Sequence, residues 1–167
     1  MEMKEQIHKF DNMPDIYQKF QIKATPQEVF DGFCLPQHLN QWWTKECTGK
    51  PVNNEIYNFY FGDNYNWYAK VIHAVPGREL TWQMTKAMDD WMGTEVGFTL
   101  VPEPNGTSVM FFHKHWASPS DHFAITTFCW GQLLNGLKNY LEAGIVIPFD
   151  WNPIVYPQFP YIKFANL

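Results

Sequence analysis

Apolar and polar positions along this chain follow two rhythms. From Ile16 to Lys23 the period is two. Ile16, Gln18, Phe20 and Ile22 share one face, and Tyr17, Lys19, Gln21 and Lys23 the other, which predicts a strand. Five later runs repeat the pattern. Ile56–Phe61 offers Tyr57, Phe59 and Phe61 on one face, and Tyr65–Ala74 offers Tyr65, Trp67, Ala69, Val71 and His73. Glu79–Met84 offers Leu80, Trp82 and Met84, and Glu95–Val101 offers Val96, Phe98 and Leu100. Thr107–Trp116 offers Val109, Phe111, His113 and His115. Short turns rich in Gly, Pro, Asn and Asp separate these runs, at Gly62-Asp63-Asn64, Pro76-Gly77 and Pro102–Gly106. Links that short join neighbouring antiparallel strands, so a meander is expected.

The second rhythm is helical. Between Asp121 and Gly144 the positions Phe123, Thr127, Trp130, Leu133, Leu134, Leu137 and Leu141 fall on one stripe, and Gly144 is a natural C-terminal stop. Two shorter helices are expected after the first strand. Thr25-Pro26 with Glu28 forms a capping-box start, Val29, Phe30 and Phe33 supply an apolar side, and Pro36 restarts the chain through Leu39 and Trp42. One long helix with an apolar face needs a sheet curled round it to bury that face. The expected architecture is therefore α+β, a curved antiparallel sheet wrapped around a long C-terminal helix, and such a layout often leaves a cavity between the two.

Composition sharpens this picture. The chain has 167 residues, which fits one domain with a core over 16–144, a leader over 1–14 and a tail over 145–167. Aromatic residues make up 18% and charged residues only 17%, the latter below the quarter or so of an ordinary globular chain, so rings dominate the interior. A net charge of −5 and a single arginine, Arg78, argue against nucleic acid as a partner. Cys34, Cys47 and Cys129 are odd in number and lack CxxC spacing. That fits a reducing, cytoplasmic setting rather than a disulfide framework or a zinc site. No apolar run reaches the ~18 residues of a membrane span, and the charged N-terminus is unlike a signal peptide.

The tail carries Pro148, Pro153, Pro157 and Pro160 among six aromatics, a pattern that forbids a regular helix yet is too rich in rings for a linker. The outward faces of the strands carry Tyr68, Ile72, Met110, Phe112 and Trp116. Exposed apolar surface of that kind is generally covered. The expectation is that the tail lies over it, or that a homodimer forms through the outer sheet face or the tail.

Several segments, in order, resemble the START-like (SRPBCC) superfamily, and within it the family similar to the activator of the ninety-kilodalton heat-shock protein's ATPase. They are Ile22–Phe30, Leu39–Trp43, Trp67–Val71, Pro76–Trp82, Glu95–Leu100, Asn105–Val109 with His113, Trp130–Leu134 with Leu137, and Tyr140–Gly144. The resemblance covers roughly residues 16–144. It implies a helix-grip (START-like, Bet v-like) fold with a cavity between sheet and helix. It also implies a largely non-enzymatic role in holding apolar or amphipathic ligands, with some cyclases and hydrolases among the members. The tail has no counterpart in the family pattern.

The candidate site follows from the inward rings. Phe33, Trp43, Phe59, Trp67, Trp82, Phe98, Phe111, Trp130 and Leu134 either fill a solid core or wall a cavity for a small hydrophobic or aromatic molecule. Buried indole N–H groups need partners, and several in one core favour a cavity. His113 is the expected polar contact, with a charge responsive near pH 6–7. His113 and His115, two apart on a strand, have a spacing compatible with metal, and His73 or His122 offers a third ligand, but no HxxxH or HxE pattern supports one. Asp89-Asp90 reads as solvated charge. There is no GxSxG, no Gly-rich phosphate loop and no HExxH, so neither a cofactor nor a catalytic set is expected. The expected function is a carrier or sensor. The alternatives are a protein-interaction module of the co-chaperone kind, or a lyase or cyclase using the same cavity.

Overall fold

A computed structural model describes residues 13–146; the expected leader and tail lie outside these residues except for Met13-Pro14 and Ile145-Val146. Strand β1 (Ile16–Ile22) is followed by helices α1 (Pro26–Cys34) and α2 (Pro36–Trp42). Strands β2 (Glu46–Thr48), β3 (Ile56–Tyr60), β4 (Asn66–Val75), β5 (Glu79–Lys86), β6 (Glu95–Glu103) and β7 (Gly106–Lys114) come next, and α3 (Asp121–Ala143) closes the fold. The seven strands form one antiparallel sheet in the order β1-β7-β6-β5-β4-β3-β2. From β2 to β7 the chain meanders. The first strand then closes the far edge, with Ile16 opposite His113 and Ile22 opposite Thr107.

Local chemistry sets the helices. The Thr25 hydroxyl accepts from the Glu28 amide while the Glu28 carboxylate accepts from the Thr25 amide at 2.7 Å, the reciprocal capping box, with Pro26 at the first helical position. Ser120 caps α3 by accepting from the Phe123 amide, and Gly144 ends it in the left-handed region. Two buried bonds tie the short helices down: Trp42 Nε1 donates to the Gly32 carbonyl at 3.0 Å, and Tyr57 Oη donates to the Cys34 carbonyl at 2.8 Å. At Gly32 a Cβ would come within 2.9 Å of a Leu141 methyl, so a larger residue there would displace that side chain where α1 meets α3.

The core lies between the inner sheet face and the helices. It takes Tyr57, Phe59, Val71, Leu80, Trp82, Phe98 and Phe111 from the sheet, and Trp130, Leu134 and Leu137 from α3. Thr126, one residue before the expected Thr127, is the buried threonine of α3.

Three placements differ from the sequence reading. Strand β2 was not expected; at three residues it is too short to display a period. The pairing of β4 with β5 is irregular between Val71 and His73. A bulge of this kind breaks the alternation, so His73 turns outward, with a side chain 53% exposed and Nε2 2.9 Å from Glu79. Strand β7 stops at Lys114, and His115 takes a φ of 68°. That reversal carries Trp116 inward to 0% exposure instead of leaving it on the outer face.

Candidate functional site

Helix α3 places His122, Thr126, Cys129 and Leu133 along one face at intervals of three and four residues, with Trp130 next to Cys129. Trp43 stands opposite at the end of α2. The β3–β4 turn region brings Phe61, Tyr65 and Trp67, and the β5–β6 connection brings Met88 and Trp91. Together with Ile125 these residues line a pocket of about 50 Å³. Its walls are indoles in mutual contact. Trp91 lies 4.9 Å from Trp67 and 6.0 Å from Trp130 between ring centroids, and Trp43 lies 5.1 Å from Trp130. Two hollows of about 290 and 160 Å³ flank β1, but Lys19, Lys23, Lys138 and turn residues line much of them, and no indole does. The aromatic walls that favour a small apolar ligand are therefore confined to the first pocket.

Behind the pocket runs a closed polar chain. Trp130 Nε1 donates to His113 Nδ1 at 3.1 Å, which fixes that nitrogen as an acceptor and puts the imidazole proton on Nε2. Nε2 then donates to Thr94 Oγ1 at 2.8 Å, and Thr94 donates to the Trp91 carbonyl at 2.6 Å. His113 is 0% exposed. Its pKa is pushed down to about 3, by burial first and then by the nearby His122. The expected response near pH 6–7 is therefore absent from this residue. His113 orients Trp130 and Trp91, with both ring nitrogens committed inside the protein.

Of the sequence-predicted site residues, the pocket gathers Trp43, Trp67 and Trp130. Phe111 and His113 back Trp130, the former at 4.6 Å between rings, and Phe59 backs Trp43 at 4.8 Å. Phe33 stacks on Phe98 at 4.1 Å, and Trp82 stands edge-on to Phe59, all within the packed core. Leu134 faces the groove beside β1. His115 leaves the face of His113, its ring 3.5 Å from Glu95 and its amide donating to Asp15. Among the described residues, no three His, Cys, Asp or Glu side chains come together as a metal site.

Of the twelve pocket-lining residues, sequence reasoning named only Trp43, Trp67 and Trp130 as ligand-binding; the most consequential it missed are Trp91, Met88, His122 and Cys129. Trp91 lies in a connection without periodicity. His122 was legible in principle, since it precedes Thr126 by four positions and Cys129 by seven on the same helix. Asp90, read as solvated charge, accepts from His122 Nδ1 at 2.6 Å, and the His122 ring stacks on Trp91 at 6.3 Å. The Cys129 thiol is pushed up by burial, away from nucleophilic character. The indole nitrogens of Trp82, Trp91 and Trp116 are buried without an acceptor among the described residues.

A seven-stranded antiparallel sheet gripping one long C-terminal helix, with a ring-walled pocket between them, defines an α+β protein of the helix-grip class. The family of Activator of Hsp90 ATPase homolog 1-like proteins matches residues 23–142, and the chain belongs to that family. The Aha1 dimer of Colwellia psychrerythraea is 31% identical with a TM-score of 0.72, over 79% of this chain and 98% of its own. DynU16, of the dynemicin biosynthetic locus, is 21% identical with a TM-score of 0.69, over 83% of this chain and 51% of its own. CalU16 of Micromonospora echinospora is 18% identical with a TM-score of 0.64, over 79% of this chain and 78% of its own. The last two likenesses establish the fold alone. No curated protein matches the chain.

Proposed function

We propose that this chain binds a small apolar ligand, about one aromatic ring in size, in the pocket between α3 and the β3–β4 and β5–β6 connections. The observation that carries this reading is the concentration of Trp43, Trp67, Trp91 and Trp130 on one pocket, where packing alone would have closed the space. A volume of about 50 Å³ holds a few waters, whereas an engineered apolar cavity that takes benzene measures ~150 Å³. A ring therefore enters with a shift of one wall. Met88 is the wall with the most freedom, being unbranched and on a connection rather than a strand. The role is carrier or sensor, in a single domain.

Native mass spectrometry of freshly purified protein, followed by denaturing extraction, tests this directly. A co-purifying small molecule supports the reading and gives the ligand's class. A clean apo mass, joined to an unchanged melting temperature with toluene and with indole, ends it.

A second reading has its own support. Tyr17, Ile72 and Val101 are 55%, 41% and 56% exposed on strands whose alternate residues are buried, and the Colwellia protein is a dimer. This favours an interaction module that pairs with itself through the outer sheet face. Light scattering over a hundredfold range of concentration distinguishes the two, since a monomer throughout removes the second.

A further inference from the structure

Two stacked rings that line the pocket carry one donor and one acceptor without a partner among the described residues, the donor buried beneath the wall. Trp91 is 6% exposed and lines the pocket, and its Nε1–H finds no acceptor among the described residues. A buried donor left in that state carries the full cost of its lost hydration. His122 lines the same pocket. Its Nδ1–H is taken by the Asp90 carboxylate at 2.6 Å, which assigns the lone pair of the neutral ring to Nε2. Nε2 itself has no partner among the described residues. The two rings lie 6.3 Å apart between centroids and within 23° of parallel. Trp82 and Trp116 also hold orphaned indole protons, but neither lines the pocket.

One donor beside one acceptor is the complement of a hydroxyl group, which gives one proton and accepts another. A carbonyl satisfies Trp91 and leaves His122 facing a second lone pair. An ammonium satisfies His122 and leaves Trp91 unpaired. A plain hydrocarbon satisfies neither. We infer that the pocket's occupant is a hydroxyarene, a phenol-like ring whose hydroxyl donates to His122 Nε2 and accepts from Trp91 Nε1. Asp90 acts through His122 as a positioning residue, holding the tautomer that keeps Nε2 an acceptor. The inference rests on the proposed ring-binding function and adds the polar group that the ring must carry.

Calorimetric titration of the full chain with phenol and with toluene, two rings of nearly the same shape, tests it. The expected result is a preference for phenol of about tenfold, the scale of one well-made buried hydrogen bond. In His122→Phe and in Asp90→Ala that preference, read as the ratio of phenol to toluene affinity within the same variant, falls towards parity. Equal binding of the two rings by the parent overturns the inference and leaves the ring-binding reading standing, as does a preference that survives His122→Phe. Failure of both rings to bind overturns both. The nitrogen-15 shift of His122 Nε2 in the unsubstituted protein gives a second readout that does not depend on a variant folding. Addition of phenol moves it towards the hydrogen-bonded range and toluene does not; identical shifts with the two rings count against the inference.

Discussion

His113 holds the most constrained position among the pocket's supports, with Trp130 on one nitrogen and Thr94 on the other. Its folded pKa of about 3 lies below the ordinary 6.5, so between those values the unfolded chain binds the extra proton. The stabilising contribution is complete above pH 6.5 and is lost as pH falls towards 3. Unfolding free energies from urea titrations should drop across that window with a slope approaching about 1.4 kcal/mol per pH unit. His113→Gln should flatten the slope; an unchanged profile would show that other groups set it. Thr94→Val keeps the volume but strands the Nε2 proton, and should cost ~1–3 kcal/mol in the same assay. The sequence marked His113 as polar and inward, and that much was legible. Which groups would meet its two nitrogens was not, because Thr94 comes from the unpatterned β5–β6 connection, which also holds Trp91, and Trp130 from a helix. Periodicity assigns a face; it does not assign a partner.

At the level of elements, pattern and caps located both ends of α3 and the start of α1, since Thr25, Ser120 and Gly144 each carry a local signal with a physical cause. Thr25→Ala should therefore lower stability by ~1 kcal/mol in chemical denaturation, a loss confined to the cap. The strands were legible wherever alternation was uninterrupted. It failed at the bulge beside Val71 and at the reversal of His115, where backbone geometry overrides parity. The β5–β6 connection escaped for a different reason. Residues 87–94 show no period, yet they supply Met88 and Trp91 to the pocket, Asp90 to its His122 and Thr94 to the chain behind it. Shortening the wall at that connection tests its part in admitting a ring. Met88→Ala should raise the affinity for toluene several-fold, measured by calorimetry, because the space then exists before the ligand arrives.

For the molecule as a whole, the meander could be anticipated from turn lengths, but the seating of β1 beside β7 could not. That pairing joins residues about ninety positions apart and depends on where the helices between them direct the chain. Closing so long a loop puts folding in the slower, millisecond-to-second range of β-rich domains. Ligand binding acts on the same global equilibrium. A ring compound present at a hundred times its dissociation constant should add ~2.7 kcal/mol and raise the melting temperature by roughly 5–10 °C. The interlocked indoles also have an optical consequence. Trp43, Trp67, Trp91, Trp116 and Trp130 form a continuous set of neighbours, each within 6.1 Å of the next between centroids. Light absorbed by one migrates among them before it is emitted, and their coupled transitions overlap the ultraviolet bands from which helix and strand content are usually judged. The protein's own glow should thus dim or shift when the pocket fills, an unlabelled reporter of occupancy, while its circular dichroism should misstate the fold that produces it.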